Sequence, residues 1–82
     1  MKTTITTDFY LAAFLLSENT SLIKHFRNNN KSTFEFAGEN ISDIIDRYYS
    51  DNAMVSIKKY TQAIRELKNI MYGNTLTRNT TI

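Results

Sequence analysis

The amino-acid sequence predicts a small α+β domain in the order helix, β-hairpin, helix, helix. Three observations predict it: an apolar run at residues 9–16, two alternating runs that meet at three asparagines over residues 21–36, and two later segments with apolar residues at helical spacing. Because a lone hairpin is only marginally stable, we expect it to pack as a single layer on the three helices.

Length and composition restrict the class of protein. A chain of 82 residues supports one domain, 1–82, and we expect an ordered core over about residues 6–72 and a loose tail over 73–82. The chain has no cysteine and one histidine, which excludes disulfides and leaves no Cys/His set for structural zinc. The apolar run at 9–16 is too short to span a membrane and no secretory leader is recognisable, so we expect a cytoplasmic protein.

The first helix is predicted from the apolar run FYLAAFLL at residues 9–16. The threonine-rich residues 1–6 fit either a short edge strand or a frayed arm, and we expect the arm. Thr6 or Thr7 can cap the helix, and Asp8 suits its first turn. Because the run has no polar face, the helix should be central. One interpretation is a homodimer that shares it, and the other is that the later elements cover both sides.

Residues 21–36 predict a β-hairpin whose tip is positively charged. Asn28, Asn29 and Asn30 tolerate the left-handed backbone of a tight turn. In the returning strand, Phe34 and Phe36 share one face, while Glu35 lies on the other face near the basic residues of the first strand. Strict alternation in the first strand places Leu22, Lys24 and Phe26 on one face and Ile23, His25 and Arg27 on the other.

The last part of the chain predicts two helices. Ala37 and Gly38 break the strand, and Asn40 can cap a helix whose isoleucines recur at helical spacing. Ser56 begins the last helix, whose apolar stripe runs to Tyr72. Gly73 supplies a stop for this helix.

These signals occur in a recognisable order. Thr7 and Asp8 precede the apolar run, Phe34 and Phe36 follow in a strand, Tyr48 and Tyr49 close a short helix, and AMVSIKKYTQAIRELKNIMY ends the ordered chain. In this order the sequence resembles a family of short bacterial and phage proteins, known as a domain of unknown function, over roughly residues 6–72. The most specific matching positions are Tyr60, Ala63, Arg65, Leu67 and Lys68. The resemblance implies a phage or prophage setting and carries no activity.

The candidate binding residues are basic and lie on two predicted elements. Against a binding role stands the ordinary use of basic residues to protect an exposed strand edge, although the same edge can accept a partner strand. If the hairpin and the last helix present their charges on one surface, that surface is the candidate site. The residues are Lys24, His25, Arg27, Lys31, Lys58, Lys59 and Arg65.

No catalytic residue, metal site or cofactor is predicted. His25 has no second histidine or cysteine to act with, and an exposed strand histidine is the simpler interpretation. Asp43 and Asp46 lie three residues apart on one helix face, which can bind Mg²⁺ but is more often solvated.

The sequence favours a non-catalytic protein that acts by protein–protein interaction. We expect it to be encoded by a phage or mobile element and to block a host defence complex such as a CRISPR effector. The alternative is a small nucleic-acid-binding regulator that uses the basic hairpin and the last helix. An enzyme that uses Asp43 or Asp46 is the third hypothesis.

Overall fold

The computed structural model describes residues 2–50 and 53–72. Its elements form an α+β fold in which helices pack on one face of a three-stranded antiparallel sheet, with strand order β1-β3-β2. The predicted class and the order helix, hairpin, helix, helix are confirmed, and a strand precedes them. The elements are β1 (Lys2–Thr6), α1 (Phe9–Ser17), β2 (Ser21–Asn28), β3 (Lys31–Gly38), α2 (Ile41–Tyr48) and α3 (Ile57–Tyr72).

The prediction of an N-terminal arm is wrong, because residues 2–6 form the edge strand β1. It pairs with β3 from Lys2, opposite Gly38, to Thr6, opposite Phe34. Its β-branched residues suit a pleated strand, and the pairing fixes them. The same pairing carries β3 past its predicted break to Gly38. A Cβ at Gly38 would lie 3.2 Å from Cγ2 of Thr20, so this glycine allows a close approach between chain segments.

Helix α1 is capped by Asp8 and not by a threonine side chain. The Asp8 carboxylate accepts from the backbone amides of Tyr10 at 3.0 Å and Leu11 at 3.2 Å. Thr6 instead accepts from the amide of Asp8 itself, at 3.0 Å. Asn40 occupies the N-cap position of α2, but its side chain makes no capping hydrogen bond.

Helix α1 is central, as its lack of a polar face predicts. The five consecutive residues 11–15 are all buried. Ala63 and Leu67 of α3, Ile41 and Ile44 of α2, and Phe34 and Phe36 of β3 complete the core around it. The chain itself therefore covers α1 on more than one side. In the part of the chain that is described, no helix is long and apolar enough to cross a membrane. The predicted helix stop at Gly73 and the tail beyond it lie outside the described residues.

The hairpin turn is shorter than the run of asparagines. Asn29 and Asn30 have φ of 54° and 67°, whereas Asn28 belongs to β2. Two turn residues with positive φ define a type I′ turn, whose twist matches that of the flanking strands. The predicted role of asparagine in the turn is confirmed.

The predicted strict alternation of side chains along β2 is wrong. The pairing register shifts between Leu22 and Lys24, which marks a β-bulge. Beyond it His25 lies opposite the buried Phe34, and Phe26 lies opposite Thr33. Because a shift of one residue turns every following side chain to the other face, His25 faces the helices and Phe26 faces away from them.

Candidate interaction surface

In the part of the chain that the structure describes, one face of the sheet is not covered by helices. Phe34 and Phe36 are buried against the helices, so Thr33 and Glu35, which alternate with them, point to the opposite side. The register partners of these outward residues lie on the same side. We call this side the open face, and its residues are Thr3, Ile5, Ser21, Lys24, Phe26, Asn28, Lys31, Thr33, Glu35 and Ala37.

The open face combines exposed apolar side chains with two positive charges, Lys24 and Lys31, and one negative charge, Glu35. Ile5 and Phe26 are 60% and 46% exposed. Glu35 lies between Ile5 on β1 and Lys24 on β2, which are its register partners on either side. Among the residues described, the one ion pair joins Arg47 to Glu18 at 2.5 Å. Lys24 and Glu35 are therefore neighbours that do not form an ion pair with each other. The surface is amphipathic, a composition that occurs at protein–protein interfaces.

His25 is not the exposed strand histidine that the sequence suggests. Its ring is stacked on Phe34, and its Nε2 atom lies 3.0 Å from the hydroxyl of the buried Ser32. Desolvation by burial, followed by the positive charge of Arg27, lowers the pKa of His25 below its ordinary value of 6.5. The side chain belongs to the packing between sheet and helices and faces away from Lys24.

Arg27 also faces the helices and contacts the last turn of α3. Its guanidinium donates to the carbonyl of Met71 at 3.3 Å and lies 5.8 Å from the centre of the Tyr72 ring. A cation suits the C-terminal end of a helix, where carbonyl groups lack helical partners. Arg27 therefore ties the tip of the hairpin to α3. Lys31 is the exposed first residue of β3, next to the turn.

The basic residues of α3 do not join those of the sheet. Lys58 and Arg65 lie beside a shallow depression next to Ile57. Lys59 lies on another flank of α3, near the end of α1. Because α3 packs on the covered side of the sheet and Lys24 points to the open face, the predicted cations lie on several sides of the molecule.

Only one residue of the predicted acidic pair lines a cleft. Asp43 lines a cleft with Arg47 and two glutamates, Glu18 and Glu39, whereas Asp46 does not contribute to it. Within residues 2–50 and 53–72, no group of three or more His, Asp or Glu side chains is arranged to hold a metal ion.

Sequence reasoning missed Ile5 and the exposure of Phe26. Ile5 is the one large apolar residue in β1, and it becomes a candidate when residues 1–6 are assigned to the edge strand and not to the arm. The exposure of Phe26 follows from the bulge, for which the sequence gives no clear signal.

These features define a small α+β domain whose described helices pack on one face of the sheet. Comparison with known proteins identifies its family. The chain belongs to the family described as a domain of unknown function (DUF5659), which matches residues 1–73. The predicted membership of an uncharacterised family is therefore confirmed. No curated protein and no solved structure matches the chain.

Proposed function

We propose that this protein is a non-catalytic binding protein that acts by protein–protein interaction through the open face of its sheet. The observation that carries the proposal is the exposure of Ile5 and Phe26 on a sheet face without helices. Apolar side chains on such a face gain free energy when a partner removes them from water. Lys24 and Glu35 between them supply polar contacts that select the partner.

The biological setting of the proposal comes from the resemblance to short bacterial and phage proteins. In this setting the protein is phage-encoded and works in the cytoplasm of the host. It occupies the surface of a host defence complex, such as a CRISPR effector, and thereby blocks it. A small rigid domain can inhibit in this way without chemistry of its own.

A pull-down from an extract of the source organism tests the proposal. The wild-type chain should retain a partner in stoichiometric amount, and the double variant Ile5→Asp/Phe26→Asp should lose it. Ile57→Asp is the matched control, because Ile57 is 81% exposed on α3, away from the open face. Retention of the partner by the double variant, or recovery of none by the wild type, would contradict the proposal. Circular dichroism of each variant checks that it is folded.

A small nucleic-acid-binding regulator is the second candidate. Phe26 is an exposed aromatic ring next to Lys24 on the open face, and such rings stack on unpaired bases. Binding to a single-stranded oligonucleotide should then weaken strongly when salt rises about fourfold. The separation of the α3 cations from Lys24 makes this the weaker candidate, because the phosphate contacts of the hairpin and of α3 do not form one track.

A further inference from the structure

The outer edge of β2 carries backbone groups without partners in the sheet. Within residues 2–50 and 53–72, β2 pairs with β3 alone and is the last strand on its side of the sheet. In a hairpin with a two-residue type I′ turn, the pair next to the turn, here Asn28 and Lys31, exchanges both backbone hydrogen bonds. Bonded and non-bonded pairs then alternate along the strands.

This alternation identifies the free groups. Phe26 and Thr33 form a bonded pair, whereas Arg27 and His25 face their partners on β3 in non-bonded pairs. The backbone N–H and C=O groups of His25 and Arg27 therefore point away from β3. Among the residues that the structure describes, no hydrogen bond satisfies these four groups. They form a template on which another strand can pair.

The charges near this edge favour an acidic partner strand. Residues 21–31 carry Lys24, Arg27 and Lys31 and no acidic residue. A second copy that paired through its own β2 would bring like charges into one ladder, which is destabilising. An acidic strand would instead place its carboxylates beside the cations.

We propose that β2 accepts an extended acidic segment of a partner protein as a fourth strand. The proposal rests on the proposed function and specifies the partner and its mode of binding. The segment pairs with the backbone of His25 and Arg27 and places a carboxylate beside Lys24 and an apolar side chain beside Phe26. These two side chains lie two residues apart on the open face, so acidic and apolar residues alternate along that side of the segment.

Amide exchange measured by NMR on the full chain tests strand addition. The probe is an eight-residue peptide, the length of β2, in which two glutamates alternate with two valines. It is added at low salt. At a concentration about ten times its Kd, the amides of His25 and Arg27 should exchange about tenfold more slowly. The amides of Lys24 and Phe26 should change little, since they already pair with β3.

Variants of the protein and of the peptide separate pairing from charge attraction. Lys24→Glu should weaken binding about fivefold or more, whereas the control Lys58→Glu, on α3, should leave it unchanged. A peptide with lysine in place of glutamate should not bind. A glutamate peptide with methylated backbone nitrogens keeps its charge but cannot donate to the edge, so it should also fail to bind.

Four results would overturn the proposal. The first is that the glutamate peptide does not bind, and the second is that its methylated form binds equally well. The third is that the amides of His25 and Arg27 exchange more slowly as the concentration of the protein without peptide rises. The fourth is that the protein prefers oligothymidine and that oligothymidine does not protect these two amides. The third result would assign the edge to a second copy, and the fourth would assign the cations to nucleic acid. If the natural partner is captured and lost with Ile5→Asp/Phe26→Asp while the peptide test fails, the proposed function stands without strand addition.

Discussion

The imidazole of His25 lies on the ring of Phe34, with ring centres 5.1 Å apart and planes inclined by 27°. This stacking places a titratable group between the sheet and the helices, beside the hydroxyl of Ser32 and the guanidinium of Arg27. Both burial and the positive neighbour favour the neutral ring. The fold therefore contains a group that is harder to protonate than a free histidine.

Acidification should destabilise the protein through His25. Because its pKa is lowered in the folded state, the unfolded chain binds more protons once the pH falls below about 6.5. The stabilisation is full above this pH and is lost as the pH falls towards the pKa of the folded state. Urea unfolding between pH 7.5 and 5.5 should show a falling free energy of unfolding.

The variant His25→Phe is the control for this prediction. Phenylalanine keeps a ring against Phe34 but cannot titrate, so the slope with pH should become smaller in this range. The variant also leaves the Ser32 hydroxyl without its partner, which lowers the free energy of unfolding equally at each pH. An unchanged slope in His25→Phe would show that other groups produce the pH dependence.

Truncation of Leu67 should be among the more damaging changes in α3. Leu67 is fully buried in the core that α1 and the sheet share. Leu67→Ala should lower the free energy of unfolding by about 2–5 kcal/mol, since it removes apolar contact and leaves a cavity. Ile57→Ala in the exposed first turn of the same helix should change it by less than about 0.5 kcal/mol. Equal effects in urea titrations would contradict the burial of Leu67.

The cap of α1 can be assigned by two single substitutions. Asp8→Ala removes the acceptor for two backbone amides and should cost about 1 kcal/mol of stability. Thr7→Ala should be nearly neutral, because Thr7 is exposed and makes no capping bond in the structure. The reverse order of thermal midpoints would support the threonine cap that the sequence suggests.

The hairpin illustrates which features the sequence predicts and which depend on pairing. The turn follows from local chemistry, because asparagine accepts the positive φ of Asn29 and Asn30. The face of Phe26 depends on a bulge, and a bulge is fixed by the pairing of two strands and not by the strand's own alternation. β1 depends on pairing in a similar way: its sequence fits an edge strand or an arm, and the pairing with β3, which begins at Lys31 far along the chain, makes it a strand. The expected position of Glu35 near the basic residues of β2 is confirmed, because Glu35 lies opposite Lys24.

The stability of a variant at Asn30 should depend on whether the new residue tolerates the positive φ of the turn. Asn30 has a φ of 67°, which costs a residue with a Cβ and no local polar group about 1–2 kcal/mol. Asn30→Ala should therefore destabilise the protein by about 1 kcal/mol, while Asn30→Gly should leave it nearly unchanged. Asn28→Ala is the control, because Asn28 lies in β2 outside the turn. Equal melting temperatures for the alanine and glycine variants at position 30 would count against a type I′ turn.

The contact between Arg27 and the end of α3 should stabilise the last turn of this helix. The guanidinium satisfies the carbonyl of Met71 and lies over the ring of Tyr72. Arg27→Ala should cost about 0.5–1 kcal/mol and speed amide exchange in the last turn of α3, because both the hydrogen bond and the contact with the ring are lost. Arg27→Lys should recover only part of the effect, since an ammonium group lacks the planar guanidinium that stacks on tyrosine. Lys24→Ala, on the open face, should leave exchange in α3 unchanged, and a matching increase there would mean that charge alone, and not this contact, holds the helix end.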